Sequence, residues 1–155
     1  MSRPQAGRPE MPGYGIAAGR QGMLSWKWAE ELLRASRRYW LVTTGAGRPH
    51  AMPLWGLWLG NAFYCSTGKR SQKARNLAKN ARCAVCVEKG GDAVVVEGTA
   101  SRVRAAAVRR RFNAAYKKKY KWDLESWTEP VFVVRPRKVF GLREGDFTKS
   151  ATRWT

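Results

Sequence analysis

The chain has 155 residues, 44% of them hydrophobic, which suffices for one packed core and argues against a disordered polymer. Thirty lysines and arginines stand against eleven acidic residues, a net charge of +19. Such a surface attracts polyanions, whether nucleic acid, acidic lipid or a small ligand with several phosphates or carboxylates. No stretch approaches the roughly 18 apolar residues of a membrane span, and the first residues carry no apolar secretory segment, so the expectation is a soluble, cytoplasmic protein.

Residues 1–22 are rich in glycine, proline and arginine without any period. They read as an irregular arm, draped over a partner subunit, ahead of a single domain over residues 23–155. Ser25 is positioned to cap a helix from Trp26 to Ala35, with Trp28, Leu32 and Ala35 on one face. Tyr39–Thr44 is rich in strand formers, and Gly45-Ala46-Gly47 is a turn. A strand His50–Leu59 follows, with Pro53 pointing to a bulge or an edge. Gly60-Asn61 makes a two-residue hairpin turn into Ala62–Thr67. Ser71 can cap a helix from Gln72 to Lys79, and Cys83–Val87 and Ala93–Val103 are strands joined by Gly90-Gly91-Asp92. Residues 105–121 form a helix with Val108, Phe112, Ala115 and Tyr116 as its apolar stripe and charges over the rest. Val131–Val134 is a strand, interrupted at Pro136 and continued by Lys138–Leu142, and the tail has no period. Few helices and hairpin-linked strands predict a small antiparallel barrel with helices at its rim. There is no strand followed by GxGxxG and no Walker lysine, which argues against a Rossmann site and a P-loop.

Cys83 and Cys86 have CxxC spacing, but Cys65 is remote and His50 is the single histidine, so small strand residues are expected rather than a four-ligand zinc site. The loop from Ser66 to Asn76 concentrates three hydroxyls, four cations and a glycine at a helix start. That is either an anion cradle or a capped helix with a solvated basic face. Trp55 and Trp58, three residues apart on one strand, should face opposite sides, and Gly56 would let a planar cofactor approach the backbone. The run Tyr116–Lys121 mixes cations and aromatics, as nucleic-acid surfaces do, although a solvated helix face is the more ordinary reading. Nothing supplies a nucleophile, base and orienting acid at a readable spacing, so in an enzyme a cofactor would carry the chemistry.

The stretch Thr43–Ala100 contains Gly-Arg-Pro-His at residues 47–50, Pro-Leu-Trp-Gly at 53–56, and the Ser66-Thr67 to Asn76-Leu77 segment. In combination these resemble the pyridoxamine 5′-phosphate oxidase-like split-barrel superfamily, most of all its actinobacterial flavin- and deazaflavin-dependent branch. Val139–Leu142, Asp146-Phe147 and Thr152–Trp154 fit the same branch. The resemblance implies a mainly β fold, a split β-barrel of six or seven mostly antiparallel strands with a few peripheral helices. It implies a homodimer with two cofactor sites between the barrels. The anionic tail of the cofactor would lie at Ser66, Thr67, Lys69, Arg70, Ser71 and Lys73, with Asn76 bracing the loop and Pro53 and Trp55 bordering the ring. Where the oxidase proper carries an Arg and a Lys for the FMN phosphate, this chain has Met52 and Leu57, and Ser-Arg-Lys reads Ser71-Gln72-Lys73. Coenzyme F-420, with a phosphodiester and an oligoglutamate tail, suits the basic surface. The expected activity is therefore an F-420-dependent reduction of a planar conjugated small molecule, with no assigned proton donor beyond His50 as a candidate. FMN in an oxidase or flavin reductase is the alternative of the same fold; storage of a flavin, haem or pigment without turnover is the alternative of another class. Neither a membrane nor nucleic acid is expected as a partner.

Overall fold

Tyr39, Leu41 and Thr43 are buried while Trp40, Val42 and Thr44 between them are not, the period-2 signature of a strand with one face on a core. The computed structural model describes residues 3–155. Its strands are β1 (Ala6–Gly7), β2 (Tyr39–Gly45), β3 (Arg48–Leu54), β4 (Leu57–Leu59), β5 (Ala62–Ser66), β6 (Arg82–Lys89), β7 (Asp92–Arg102), β8 (Val131–Leu142) and β9 (Thr152–Trp154). Its helices are α1 (Trp26–Ala35), α2 (Gln72–Lys79), α3 (Ala106–Tyr120) and the short α4 (Phe147–Ser150).

The nine strands of the described residues belong to one antiparallel sheet in the order β1-β9-β8-β7-β6-β2-β3, with β5 joining β8 and β4 joining β5. The long β8 organises the split. Its first residues, Val131–Val134, pair with β5, and its last, Val139–Gly141, pair with β9, while β7 runs along its other side. The chain passes from β3 to β4 through Trp55 and Gly56, and each of these two strands is paired on one side only. The strand count exceeds the expected six or seven because the run His50–Leu59 is cut at Trp55-Gly56 and because β1 and β9 come from segments without a readable period.

Turns follow their glycines. Ala46 and Gly47 both take positive φ (50° and 73°) in the β2–β3 hairpin, the geometry of a tight turn that matches strand twist. Two expectations need correction. Pro136 does not interrupt β8, because it pairs with Gly98 where the β7–β8 register shifts, and a bulge tolerates a residue without an N–H. The inward face of α1 is Ala29 and Leu33, flanked by Trp26, Trp28 and Leu32, and Ala35 is exposed at the last turn. The Ser25 hydroxyl accepts the Trp28 N–H at 3.2 Å, which caps α1.

The main core gathers Leu33, Tyr39, Leu41, Phe63, Val85, Val94, Val96, Val134, Val139 and Trp154 beneath α1 and α2. A second cluster, Leu57, Phe112, Tyr120, Leu124 and Val131, lies under α3. The arm lies against its own chain: β1 pairs with β9, and the Arg8 guanidinium donates to the carbonyls of Gly19, Gln21, Lys149 and Ala151.

Candidate cofactor site

α2 begins at the foot of β5. The Ser71 hydroxyl accepts the Ala74 N–H at 3.2 Å and caps the helix. The N–H groups of Gln72 and Lys73 bond to none of the described residues, so the positive end of α2 carries two donors without a partner there. Lys69 and Arg70 are exposed beside it and Lys73 is half-buried. Lys73 enters no ion pair among the described residues. Its ammonium is within electrostatic reach of the buried Cys65 thiol, which burial, seconded by Cys83, pushes up to about 12 while Lys73 opposes the shift.

The hydroxyls are more committed than the sequence suggests. Ser66 Oγ donates to Pro130 O at 2.7 Å and accepts the Trp127 Nε1–H at 2.6 Å. Thr67 is buried and its Oγ1 shares a hydrogen bond with Ser71 Oγ at 3.2 Å. The Lys69 N–H is held by the Glu129 carboxylate at 2.8 Å. Asn76 is only 2% exposed; its amide donates to Thr43 Oγ1 at 3.0 Å and accepts from Gln72 Nε2 at 2.7 Å, which ties α2 to β2. The groups free to meet an anion are therefore two backbone N–H groups and the side chains of Lys69, Arg70 and Lys73.

Two clefts touch α2 and a third lies beside the end of β5; Arg70, Ser71 and Lys73 line none of the three. One, of about 720 Å³, lies between the β2–β3 turn and α2 and is lined by Arg48, His50, Gln72, Arg75, Asn76 and Lys79 among others. His50 Nδ1 is buried there without a partner among the described residues. A second, of about 330 Å³, takes in Lys69, Arg102 and Arg104. The third brings Trp55 and Ser66 together with Tyr116, Trp122, Leu124 and Trp127. Pro53 is exposed on the outer face of β3, where it pairs with Trp40.

Trp58 is buried in the core and Trp55 is 40% exposed, so the two tryptophans do part sides. Gly56 admits no ligand: a side chain there would run into Phe63 and the Tyr64 carbonyl, so the glycine serves chain packing. Sequence reasoning missed the α3 residues behind Trp55. Tyr120 Oη accepts the Gly56 N–H at 3.0 Å and lies 2.8 Å from Gly56 O. Lys119 turns inward and donates to Tyr39 Oη at 2.9 Å and Gly56 O at 3.2 Å. Burial, with the charge of Arg37 adding to it, pushes its pKa down to about 8. Lys117 pairs with Asp123 at 2.9 Å. The lysine run is thus not one open basic face, and Trp122 and Trp127 in the loop after it line the third cleft.

Cys83 and Cys86 belong to opposite faces of β6, and no cluster of metal ligands occurs among the described residues. No helix of the described residues is long and apolar enough to cross a membrane.

The family model described as pyridoxamine 5′-phosphate oxidase matches residues 26–143. Among solved structures, a conserved hypothetical protein from Mycobacterium tuberculosis is similar at 22% identity and a TM-score of 0.70, over 79% of this chain and 89% of that one. A FAD-binding protein from Mesorhizobium loti is similar at 21% identity and a TM-score of 0.64, over 84% of this chain and 93% of that one. An F420 reductase is similar at 22% identity and a TM-score of 0.59, over 71% of this chain and 94% of that one. At these identities the likeness is one of fold. No curated protein matches the chain.

Proposed function

The chain belongs to the pyridoxamine 5′-phosphate oxidase family, and on that premise we propose that it is an oxidoreductase that holds coenzyme F-420 between two copies of itself and reduces a planar conjugated small molecule. The observation that carries the reading is the half-buried Lys73, which enters no ion pair among the described residues, beside the N–H groups of Gln72 and Lys73, which have no partner among them. A cation in that position, next to Lys69 and Arg70, is unfavourable unless an anion offsets it. The donor set fits a phosphate or phosphodiester.

When bound, the reduced deazaflavin supplies the hydride. The chain's part is orientation. Ser71 fixes the helix start and Asn76 ties it to Thr43. The cleft with Arg48, Arg75 and Lys79 is lined by no acidic side chain and lies on the flank of α2, which supports a ligand with further negative charge. The Met52 and Leu57 positions support the same ranking over FMN, since Leu57 is buried in the α3 cluster and Met52 has no charge to offer.

The dimer reading rests on an apolar row across the outer sheet face. Pro53, Trp40, Cys86, Val95 and Phe140 are successive cross-strand partners. Residues directly opposite one another share a face, and Trp40 remains 48% exposed on this single chain.

A second reading keeps the fold and exchanges the cofactor for FMN; it is favoured by the small donor count at α2, which suits a single phosphate. Titration of the purified protein with each cofactor, followed by fluorescence at about 50 and 300 mM salt, separates them. F-420 should bind more tightly and lose more affinity with salt. FMN binding tenfold tighter would reverse the ranking.

A further inference from the structure

The cleft formed by Trp55, Ser66, Tyr116, Trp122, Leu124 and Trp127 encloses about 200 Å³. Drug-sized pockets begin near 300 Å³, so this one suits a molecule of one or two rings. Four of its six walls are aromatic.

Its aromatic rings are exposed yet anchored. Tyr120 stacks on one face of Trp55 with centroids 4.7 Å apart and planes within 4°. Trp55 is still 40% exposed and lines the cleft beside Tyr116. Trp127 is also 40% exposed, but its indole N–H is fixed on Ser66 Oγ, its backbone N–H on Leu124 O at 2.9 Å, and its carbonyl on Arg109 at 2.7 Å. The Asp123 carboxylate accepts the Glu125 N–H and pairs with Lys117, which holds the loop that presents Trp122. Exposed rings on an otherwise free loop would collapse onto one another or onto the core; here polar bonds hold them apart around a gap.

Charge decides which ligand. No acidic side chain lines the cleft, the chain carries +19, and Lys119 and Arg37 lie over the Tyr120 ring behind Trp55. An aromatic cage for a cation would need the opposite balance. We infer that this cleft is a binding site for a planar aromatic molecule of one or two rings that is neutral or anionic. Its identification as the substrate subsite rests on the proposed function; its existence does not.

The test is equilibrium dialysis of the full chain with 2-naphthoate, with decahydro-2-naphthoate as the non-planar control and N-methylquinolinium as the cationic one. 2-Naphthoate should bind with a submillimolar constant and both controls at least tenfold more weakly. Trp122→Ala should weaken 2-naphthoate about tenfold, the scale of one aromatic contact with its buried area. Trp122 is 61% exposed, so the variant should keep its melting temperature and oligomeric mass. Equal binding of the saturated or the cationic probe, an unaffected Trp122→Ala, or a dimer that falls apart in that variant would each overturn the inference. The same samples are titrated with F-420 and FMN. Binding of 2-naphthoate by a chain that takes neither cofactor upholds this inference and defeats the proposed function; binding of a cofactor without 2-naphthoate does the reverse.

Discussion

The indole of Trp55 lies parallel to the phenol ring of Tyr120, and the Tyr120 hydroxyl closes on both polar groups of the next residue, Gly56. The end of α3 thereby sets the break between β3 and β4. Tyr120→Phe keeps the ring and strands the buried Gly56 N–H. It should cost about 1–3 kcal/mol, the desolvation penalty of an unpaired buried donor, read from urea unfolding. Tyr120→Leu should cost more, by about 0.5–1.5 kcal/mol for the lost ring pair beyond its area. Equal stability of the Phe variant and the parent would contradict this assignment.

Lys119 predicts a pH dependence. The groups facing it are Arg37, Tyr39 and Tyr120. Its pKa falls from 10.5 to about 8 through burial, then Arg37. Between those values the unfolded chain holds more of this proton than the folded one, so its contribution to stability rises with pH across the window and is lost as pH falls through about 8. Buried Cys65 and Cys83, both shifted upward, act in the opposite sense. The stability of the parent minus that of Lys119→Met cancels them. That difference should move in the parent's favour between about pH 7.5 and 9.5. A difference independent of pH would contradict it.

Arg8→Ala removes four guanidinium bonds, two to Gly19 and Gln21 within the arm and two to Lys149 and Ala151 that join the arm to the segment before β9. The expected loss is about 1.5–3 kcal/mol, the range for bonds to a charged group, because several are solvent-exposed and water replaces them. Hydrogen exchange should speed up at Gln5 and Ala17, whose N–H groups bond to Thr155 O and Thr148 O. Unchanged protection there would show that the arm is held otherwise.

Gly98→Ala would press a methyl group against the Arg135 carbonyl at the β7–β8 bulge. Overpacking of this kind costs about 1–3 kcal/mol. Thermal unfolding measures it, and a neutral result would mean that the bulge relaxes freely.

Period and punctuation made most of the sheet legible. Tyr39–Gly45, the Gly60-Asn61 hairpin, the Ser71 cap and the Gly90-Gly91 turn all depend on neighbours in sequence. What escaped depends on distant partners. Pro136 reads as a breaker until Gly98 is seen opposite it, and Gly56 reads as a ligand contact until Phe63 fills its space. At the candidate site, residue types were readable but directions were not. Ser66 turns to Trp127 and Pro130, Lys69 gives its N–H to Glu129, and Lys119 leaves a basic run to bond Tyr39. Each partner lies on an element far along the chain.

Lys73→Ala should weaken cofactor binding by about 1.5–3 kcal/mol, the range for a hydrogen bond to a charged group. The empty protein should keep its melting temperature or gain slightly, because Lys73 sits beside Lys69 and Arg70 and enters no ion pair among the described residues. Fluorescence titration with F-420 and with FMN, beside a melting curve of the unliganded variant, reads both. Lost affinity with retained stability is the predicted result; a variant that binds both cofactors as tightly as the parent would contradict the account.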